Sequence, residues 1–190
     1  MPRAGLDAAT VTIAGADLAD DIGIDRLTMS LVAESLGVKP PSLYKHVDSL
    51  AALTHRIAIV GANEVGDTLR DAMQGVSGLE ALTAAAQALR RYVKQHPGRY
   101  SATTGARPVS PDDPLIPALA RTLASLEAVL QGYQLTEDDR IHALRMLRSI
   151  LHGFATLDAS DAFQIDTNVN DSFMWMISFF DQGLRTRVMA

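Results

Sequence analysis

Apolar residues recur along most of this chain at intervals of three and four, the spacing that places side chains on one face of an α-helix. Few runs alternate with the period of two that a half-buried strand shows, so the pattern predicts an all-α fold. The predicted helices cover about 6 to 22, 28 to 36, 40 to 47, 50 to 73, 79 to 96, 115 to 132, 137 to 158 and 169 to 187. The HPGRY segment at 96 to 100 is expected to end the fifth helix, and a loop rich in Pro and Gly follows it.

The stretch from 27 to 48, LTMSLVAESLGVKPPSLYKHVD, fits two short helices joined by a tight turn. Thr28 is placed to cap the first helix, because its hydroxyl can accept a hydrogen bond from a free N–H group of the first turn. Gly37 can take the left-handed conformation that ends a helix. The Pro-Pro pair at 40 and 41 suits the first turn of a new helix, where no N–H donor is needed. Ser49 is placed to cap the long helix that follows.

The second of these short helices has an anchoring face and a face rich in hydrogen-bond donors. Leu43 and Val47 are four residues apart and are expected to hold it to the core. The remaining positions carry donors or cations and no carboxylate: Lys39, Ser42, Tyr44, Lys45 and His46. A helix of this kind suits the major groove of DNA, where base edges are read by hydrogen bonds. An ordinary helical corner is the alternative, since turns of this type recur in all-helical proteins.

The segment LGVKPPSLYKHV resembles the recognition helix of the TetR family of bacterial one-component repressors, with Tyr44 and His46 where that family has them. A second segment, LHGFATLDASDAF from 151, resembles a helix end in a TetR subgroup that also has a His-Pro element like the one at 96 and 97. The resemblance implies an N-terminal three-helix helix-turn-helix domain over 1 to 48. A connector helix would join it to a C-terminal effector-binding and dimerisation domain over 49 to 190.

The same resemblance implies a homodimeric repressor that binds a palindromic double-stranded DNA operator and leaves it when a small molecule binds. Seven residues would meet DNA: Thr28, Lys39, Pro41, Ser42, Tyr44, Lys45 and His46. Ser42 and Lys45 are assigned to base edges, and Pro41 to a thymine methyl group. Thr28, Tyr44 and His46 are assigned to phosphates. One position departs from the family pattern, because Leu50 stands where the family usually has a phosphate-binding Lys.

The charge of the chain runs against a broad DNA-binding surface. Seventeen basic and 22 acidic residues give a net charge of −5, and residues 1 to 60 carry seven carboxylates against five cations. A DNA-binding domain usually has a basic footprint. Since the cations concentrate at 39 to 46, we expect few phosphate contacts and a shallow dependence of affinity on salt. The acidic first helix and Leu50 leave an alternative open: a helical protein that binds a ligand or a partner on the same scaffold, with weak or lost DNA binding.

Each of the last two predicted helices carries large apolar side chains on two sides. A helix with so wide an apolar surface must be buried against the core of its own chain on one side and against a further partner on the other. A second copy of the chain is the expected cover, because helix-turn-helix proteins commonly bind DNA as twofold dimers. A pair buried entirely inside one chain is the alternative. The predicted interface consists of Leu144, Arg148, Leu151, Phe173, Ile177, Phe180 and Leu184.

A ligand cavity in the C-terminal half would be mostly apolar with a few polar anchors. The candidates for its lining are Tyr92, His96, Tyr100, Met146, Phe154, Trp175 and Phe179. Each of these residue types is also common in an ordinary core. The expected effector is an apolar or aromatic small molecule of unknown identity.

Other classes of function find little support in the chain. Cysteine is absent, which excludes disulfides and thiolate chemistry. The five histidines form no metal-binding pair at helical spacing, and no catalytic motif occurs, so we expect neither an enzyme nor a bound metal or cofactor. The chain has no long apolar run that would predict a membrane span or signal peptide, and the expected location is the cytoplasm.

Overall fold

The computed structural model describes residues 5 to 188, which form helices without any strand between those limits. The helices are α1 Ala8–Ile22, α2 Met29–Ser35, α3 Pro40–Leu43, α4 Leu50–Ala72, α5 Gly78–Gln95, α6 Pro97–Gly105, α7 Leu115–Leu130, α8 Glu137–Ala159 and α9 Val169–Val188. The predicted all-α fold is confirmed. None of these helices combines the length and the apolar character needed to cross a bilayer. The ends of the two predicted domains, at 1 to 4 and 189 to 190, lie outside the described residues.

Local signals set the ends of α1. The Asp7 carboxylate caps the helix by accepting from the Thr10 N–H at 2.7 Å. This hydrogen bond is the main reason why the pKa of Asp7 is lowered. At the other end Gly23 takes φ +87°, a conformation that L side chains rarely adopt. Helix α1 thus ends at residue 22, as predicted.

Helix α6 was not predicted. Residues 96 to 100 were expected to end one helix and begin a loop, whereas Pro97 is the first residue of a new helix. The Tyr100 N–H donates to the His96 carbonyl at 3.0 Å and closes the first turn. Proline ends a preceding helix and also fits the first position of the next, so its presence alone does not distinguish these outcomes.

The described residues pack as two units. The first contains residues 5 to 62 and 95 to 116, and the second contains 63 to 94 and 117 to 188. Helix α4 contributes to both, and α6 belongs with the helix-turn-helix segment. The domain boundary predicted between 48 and 49 does not coincide with this division of the packing. As a division of function, that boundary stays a prediction.

In the first unit, α1 and α6 touch backbone to backbone. A Cβ atom on Gly98 would overlap the carbonyl group of Ala19. Beside this contact one oxygen of the Asp20 carboxylate accepts a hydrogen bond from the backbone N–H of Arg99 at 2.9 Å. The other oxygen of that carboxylate lies 2.9 Å from Nδ1 of His96. The Arg99 guanidinium pairs with Asp17 and lies 3.3 Å from Asp20. These contacts fix α1 on the first turn of α6.

The core of the second unit corrects the predicted dimer interface. Five of the predicted side chains pack inside the chain, with less than a tenth of their surface exposed: Leu151, Phe173, Ile177, Phe180 and Leu184. Leu144 is half-buried, while Arg148 is exposed. Both helices do have a second apolar side, but it carries other residues. Periodicity identified two apolar sides on α8 and α9, and the prediction took the inward one for the interface.

Replacing Gly98 by Ala should destabilise the chain, because the new methyl group must push α1 away from α6. Overpacking of this kind costs about 2 kcal/mol of unfolding free energy. Urea denaturation followed by circular dichroism measures the change. Gly105→Ala is the matched control, since Gly105 ends the same helix and a Cβ there meets nothing within 4 Å. If both variants are as stable as the wild type, α1 and α6 do not pack as closely as described.

Candidate nucleic-acid interface

The turn between α2 and α3 forms as the sequence predicts. Thr28 Oγ1 accepts from the Leu31 N–H at 3.2 Å and caps α2. Gly37 takes φ +65°, and the next residue, Val38, donates its N–H to the Ala33 carbonyl at 2.9 Å. The carbonyl groups at the end of α2 are thereby satisfied, and the chain is directed into α3.

Helix α3 is shorter than predicted. It contains a single turn that ends at Leu43, and Tyr44 is its C-terminal cap. The His46 N–H donates to the Leu43 carbonyl at 2.8 Å, and the Val47 N–H donates to the same oxygen at 2.9 Å. Lys45 and His46 therefore lie in the turn after the helix. Leu43 and Val47 are buried, which confirms them as the anchors of this segment.

The predicted DNA-contacting side chains all remain accessible. Tyr44 exposes 51% of its surface. Thr28, Lys39, Pro41 and Lys45 are also exposed, whereas Ser42 and His46 are half-buried. The anchors point inward and these residues do not, so the segment has the two-sided character expected of a DNA-reading element. Their individual contacts to bases and phosphates stay a prediction.

The acidic character of α1 is partly offset within the first unit. Asp20 is mostly buried and bonded to the N-terminus of α6, and Asp17 pairs with Arg99. Both carboxylates thus have cationic or N–H partners. The formal excess of acid over residues 1 to 60 therefore overstates the negative charge available to repel a phosphate backbone.

The N-terminus of α4 lies close in sequence to the reading segment. Ser49 caps this helix, its hydroxyl accepting from the Ala52 N–H at 3.1 Å, as predicted. Leu50 is the first residue of α4 and exposes 37% of its surface. A helix N-terminus favours phosphate through its free N–H groups. Leu50 adds no cation to that favourable position.

The predicted ligand residues do not come together in one cavity. Met146 and Phe179 line the same cavity, of about 340 Å³, beside α8 and α9. Trp175 stacks on Phe179 with ring centroids 5.3 Å apart, and 68% of its surface is exposed. These three therefore belong to an open surface of the second unit.

The other four predicted ligand residues make contacts elsewhere. The Tyr92 hydroxyl donates to Glu64 at 2.8 Å in the second unit. Phe154 packs between the rings of Phe163 and Phe173. His96 and Tyr100 belong to the first unit, on and beside the first turn of α6. The prediction grouped residues by type, and sequence spacing gave no measure of their distance in space.

Sequence reasoning also missed the residues that hold α1 on α6, namely Asp20, Gly98 and Arg99. The available signal was the Pro-Gly pair directly after His96, which suits the start of a helix that approaches another backbone. No pattern in the sequence indicated that Asp20 would be the partner.

Comparisons with known proteins agree with this geometry. A family model described as tetracyclin repressor-like, C-terminal domain matches residues 82–180. YobS, a helix-turn-helix transcriptional regulator of Bacillus subtilis (strain 168), is 30% identical over 187 residues, which cover 96% of this chain and 95% of YobS. Rv0681, a regulator of the same type from Mycobacterium tuberculosis, is 35% identical over 169 residues, which cover 88% of this chain and 77% of Rv0681.

The fold is also similar to solved structures. The crystal structure of BioQ with its natural double-stranded DNA operator matches with a TM-score of 0.67 and 19% sequence identity. The match covers 95% of this chain and 99% of that one. At this level of identity the likeness concerns the fold.

Replacing Lys39 and Lys45 by Ala should weaken DNA binding through lost phosphate and base contacts. Each phosphate contact that is lost lowers the salt slope of log affinity by about one. Fluorescence anisotropy over a series of salt concentrations, on DNA that flanks the gene of this protein, measures both quantities. Arg140→Ala, an exposed cation on α8, should leave both unchanged. An unchanged slope in the double Lys variant would remove this segment from the interface.

Introducing a cation at the start of α4 should strengthen DNA binding. Leu50→Lys would add one phosphate contact at a helix N-terminus, so affinity should rise and the salt slope should steepen by about one. Leu79→Lys is the matched control, because Leu79 is similarly exposed at 40% and lies in the second unit. Equal gains in both variants would mean that only net charge matters and that residue 50 is not near DNA.

Proposed function

Because this chain belongs to the TetR family of helix-turn-helix transcriptional regulators, we propose that it is a homodimeric repressor of a palindromic operator, released by a small-molecule effector. DNA-dependent regulation follows from the family. Repression, the palindrome and the effector are the proposed parts. The observation that carries the proposal is an exposed apolar seam on α8 and α9.

On α8 the seam contains Met146, Ile150, Gly153 and Leu157, spaced by four, three and four residues. This spacing keeps them on one side of the helix, as in coiled-coil packing. Met146 and Leu157 expose 49% and 47% of their surfaces, which is unusual for large apolar side chains at regular spacing. These four residues form the α8 strip of the seam, and the described part of the chain leaves this strip uncovered.

The strip on α9 has the same spacing, through Trp175, Phe179, Gln182 and Thr186. Phe179 exposes 59% of its surface and, with Met146, lines the cavity beside α8 and α9. The two strips therefore lie on the same side of the helix pair. Together they form one surface, rich in aromatic residues and Met, of the kind enriched at protein interfaces.

Gly153 supports a close approach by another helix. A Cβ atom there would meet nothing within 4 Å among residues 5 to 188 of the same chain. The small residue therefore does not serve packing between helices of a single copy. A second copy related by a twofold axis would complete a four-helix bundle over this surface. Such a dimer would present two reading segments to half-sites separated by about 34 to 36 Å.

The effector would act by changing the population of DNA-binding conformations. A ligand that binds more tightly when the two reading segments are wrongly spaced lowers the affinity for the operator. The match of residues 82–180 to a tetracyclin repressor-like C-terminal domain supports a ligand-responsive second unit. Anisotropy with labelled DNA flanking the gene, titrated with protein and then with candidate apolar compounds, tests operator binding and release separately.

The alternative is a ligand-binding or partner-binding protein that has lost DNA contact, and Leu50 is the observation that favours it. The acidic first helix is the other reason for this alternative. It is weakened because Asp17 and Asp20 are paired within the fold. Absence of sequence-dependent binding at low salt would favour it. Binding to a palindromic sequence, with two chains on each duplex, would favour the repressor.

Placing a charge in the centre of the seam should disrupt the dimer. Phe179→Lys buries a cation against apolar side chains of the partner, and losing such an aromatic anchor costs about 2 kcal/mol or more of association free energy. Size-exclusion chromatography with light scattering at micromolar concentration should show a dimer for the wild type and a monomer for the variant. Circular dichroism checks that the variant is folded.

Ile141→Lys is the matched control for this experiment. Ile141 lies on α8, exposes 46% of its surface and is off the strip spacing. The control should remain dimeric. A monomeric wild type would overturn the proposed dimer. Loss of the dimer in the control but not in Phe179→Lys would place its interface elsewhere.

A further inference from the structure

A cavity of about 340 Å³ lies between α5 and α9 in the second unit. Its α5 wall carries basic and amide side chains from one side of the helix, and its α9 wall is mostly apolar. The lining residues are Gln87, Arg90, Arg91, Lys94, Asn170, Phe173 and Met174. It shares no residue with the DNA-reading segment or with the α8 and α9 seam.

Arg90 is held rigidly at the inner side of this cavity. Its Nε donates to Asp158 at 2.8 Å, and its Nη1 donates to the Asn170 side-chain oxygen at 2.8 Å. The guanidinium carbon lies 4.8 Å from the ring centroid of Phe173 and 5.5 Å from that of Phe154. Only 14% of the side chain is exposed. A planar donor group is thus fixed in place before any ligand binds.

The guanidinium retains unused donors. Within the described residues its hydrogen bonds employ Nε and Nη1, and none employs Nη2. Arg91, the next residue, is exposed and forms no ion pair with any described residue. Both groups can therefore donate to an added acceptor without breaking a contact that the structure contains.

Of the three cations on this wall, Arg90 and Lys94 share one carboxylate, that of Asp158. Burial opposes the ionisation of Asp158, but the hydrogen bond from Arg90 and the charges of Arg90 and Lys94 outweigh it and lower the pKa of Asp158. Lys94 Nζ lies 3.4 Å from that carboxylate. Asp171 is next to Asn170 in sequence but does not line the cavity. The cavity therefore keeps an excess of positive charge in a chain whose net charge is −5.

We propose that this cavity binds a small organic anion. Its carboxylate or phosphate group pairs with Arg91, Lys94 and the free edge of Arg90, and its apolar part lies against Phe173 and Met174. A guanidinium group can donate two parallel hydrogen bonds to a pair of carboxylate or phosphate oxygens. The volume is at the lower end of the range for ligand pockets, which limits the ligand to a small molecule.

Isothermal titration calorimetry of the full chain at low salt tests the proposal with three probes of matched length: hexanoate, hexyl phosphate and the neutral hexanamide. At least one anion should bind and hexanamide should not. Comparing the two anions identifies the preferred head group. Arg91→Gln should weaken anion binding about threefold, and Arg91→Gln with Lys94→Gln about tenfold, as expected for partly exposed ion pairs.

Arg140→Gln is the control, because it removes the same charge from α8 without touching the cavity. Arg91 and Lys94 have exposed side chains, so these variants should fold, and thermal denaturation checks this. The proposal is overturned if neither anion binds at millimolar concentration. It is also overturned if hexanamide binds as well as the anions, or if the double variant binds them as tightly as the wild type. Calorimetry without DNA keeps these outcomes independent of the proposed repressor function.

Discussion

The backbone contact between α1 and α6 is the constraint on which the DNA-reading unit depends. Helices α2 and α3 have seven and four residues, too short to be stable alone in water. Helix α3 packs against α2 and α2 packs against α1. Gly98 and Asp20 in turn hold α1 on the first turn of α6. Thr103 extends this support, since its hydroxyl donates to the Ala58 carbonyl of α4 at 3.1 Å. The reading unit is thus completed by residues far along the chain from the helix-turn-helix.

Features that depend on a few neighbouring residues could be predicted from the sequence. The caps at Thr28 and Ser49 and the left-handed Gly37 were correct because the groups that satisfy them lie within four residues. Helix α6 was missed because a His-Pro pair permits both a stop and a start. Asp20, which bonds the first turn of that helix, is 76 residues away from His96. A local sequence pattern cannot identify a hydrogen-bond partner so far away along the chain.

The second unit shows where periodicity stops being informative. It correctly indicated two apolar sides on α8 and α9, but Phe173 and Trp175 are equally apolar by sequence. The chain buries Phe173 beside Arg90 and leaves Trp175 exposed on the opposite side of α9. This choice depends on where α5 packs. As a result, three residues predicted to bind ligand lie on the open seam, and five predicted to form the dimer lie in the core.

Net charge was a poor guide to the binding surfaces, for a related reason. A formal count treats every carboxylate as equally available, whereas Asp20 and Asp158 are both mostly buried and bonded to cations. Their negative charge is compensated within the fold and contributes little to the field outside it. The field outside the protein then depends on cations that have no such partner among the described residues, as at Lys39 and Lys45 in the reading segment and Arg91 on α5. An acidic protein can therefore present small cationic surfaces, and their ligands depend on local geometry: a protruding turn for a phosphate backbone, a partly enclosed cavity for a small anion.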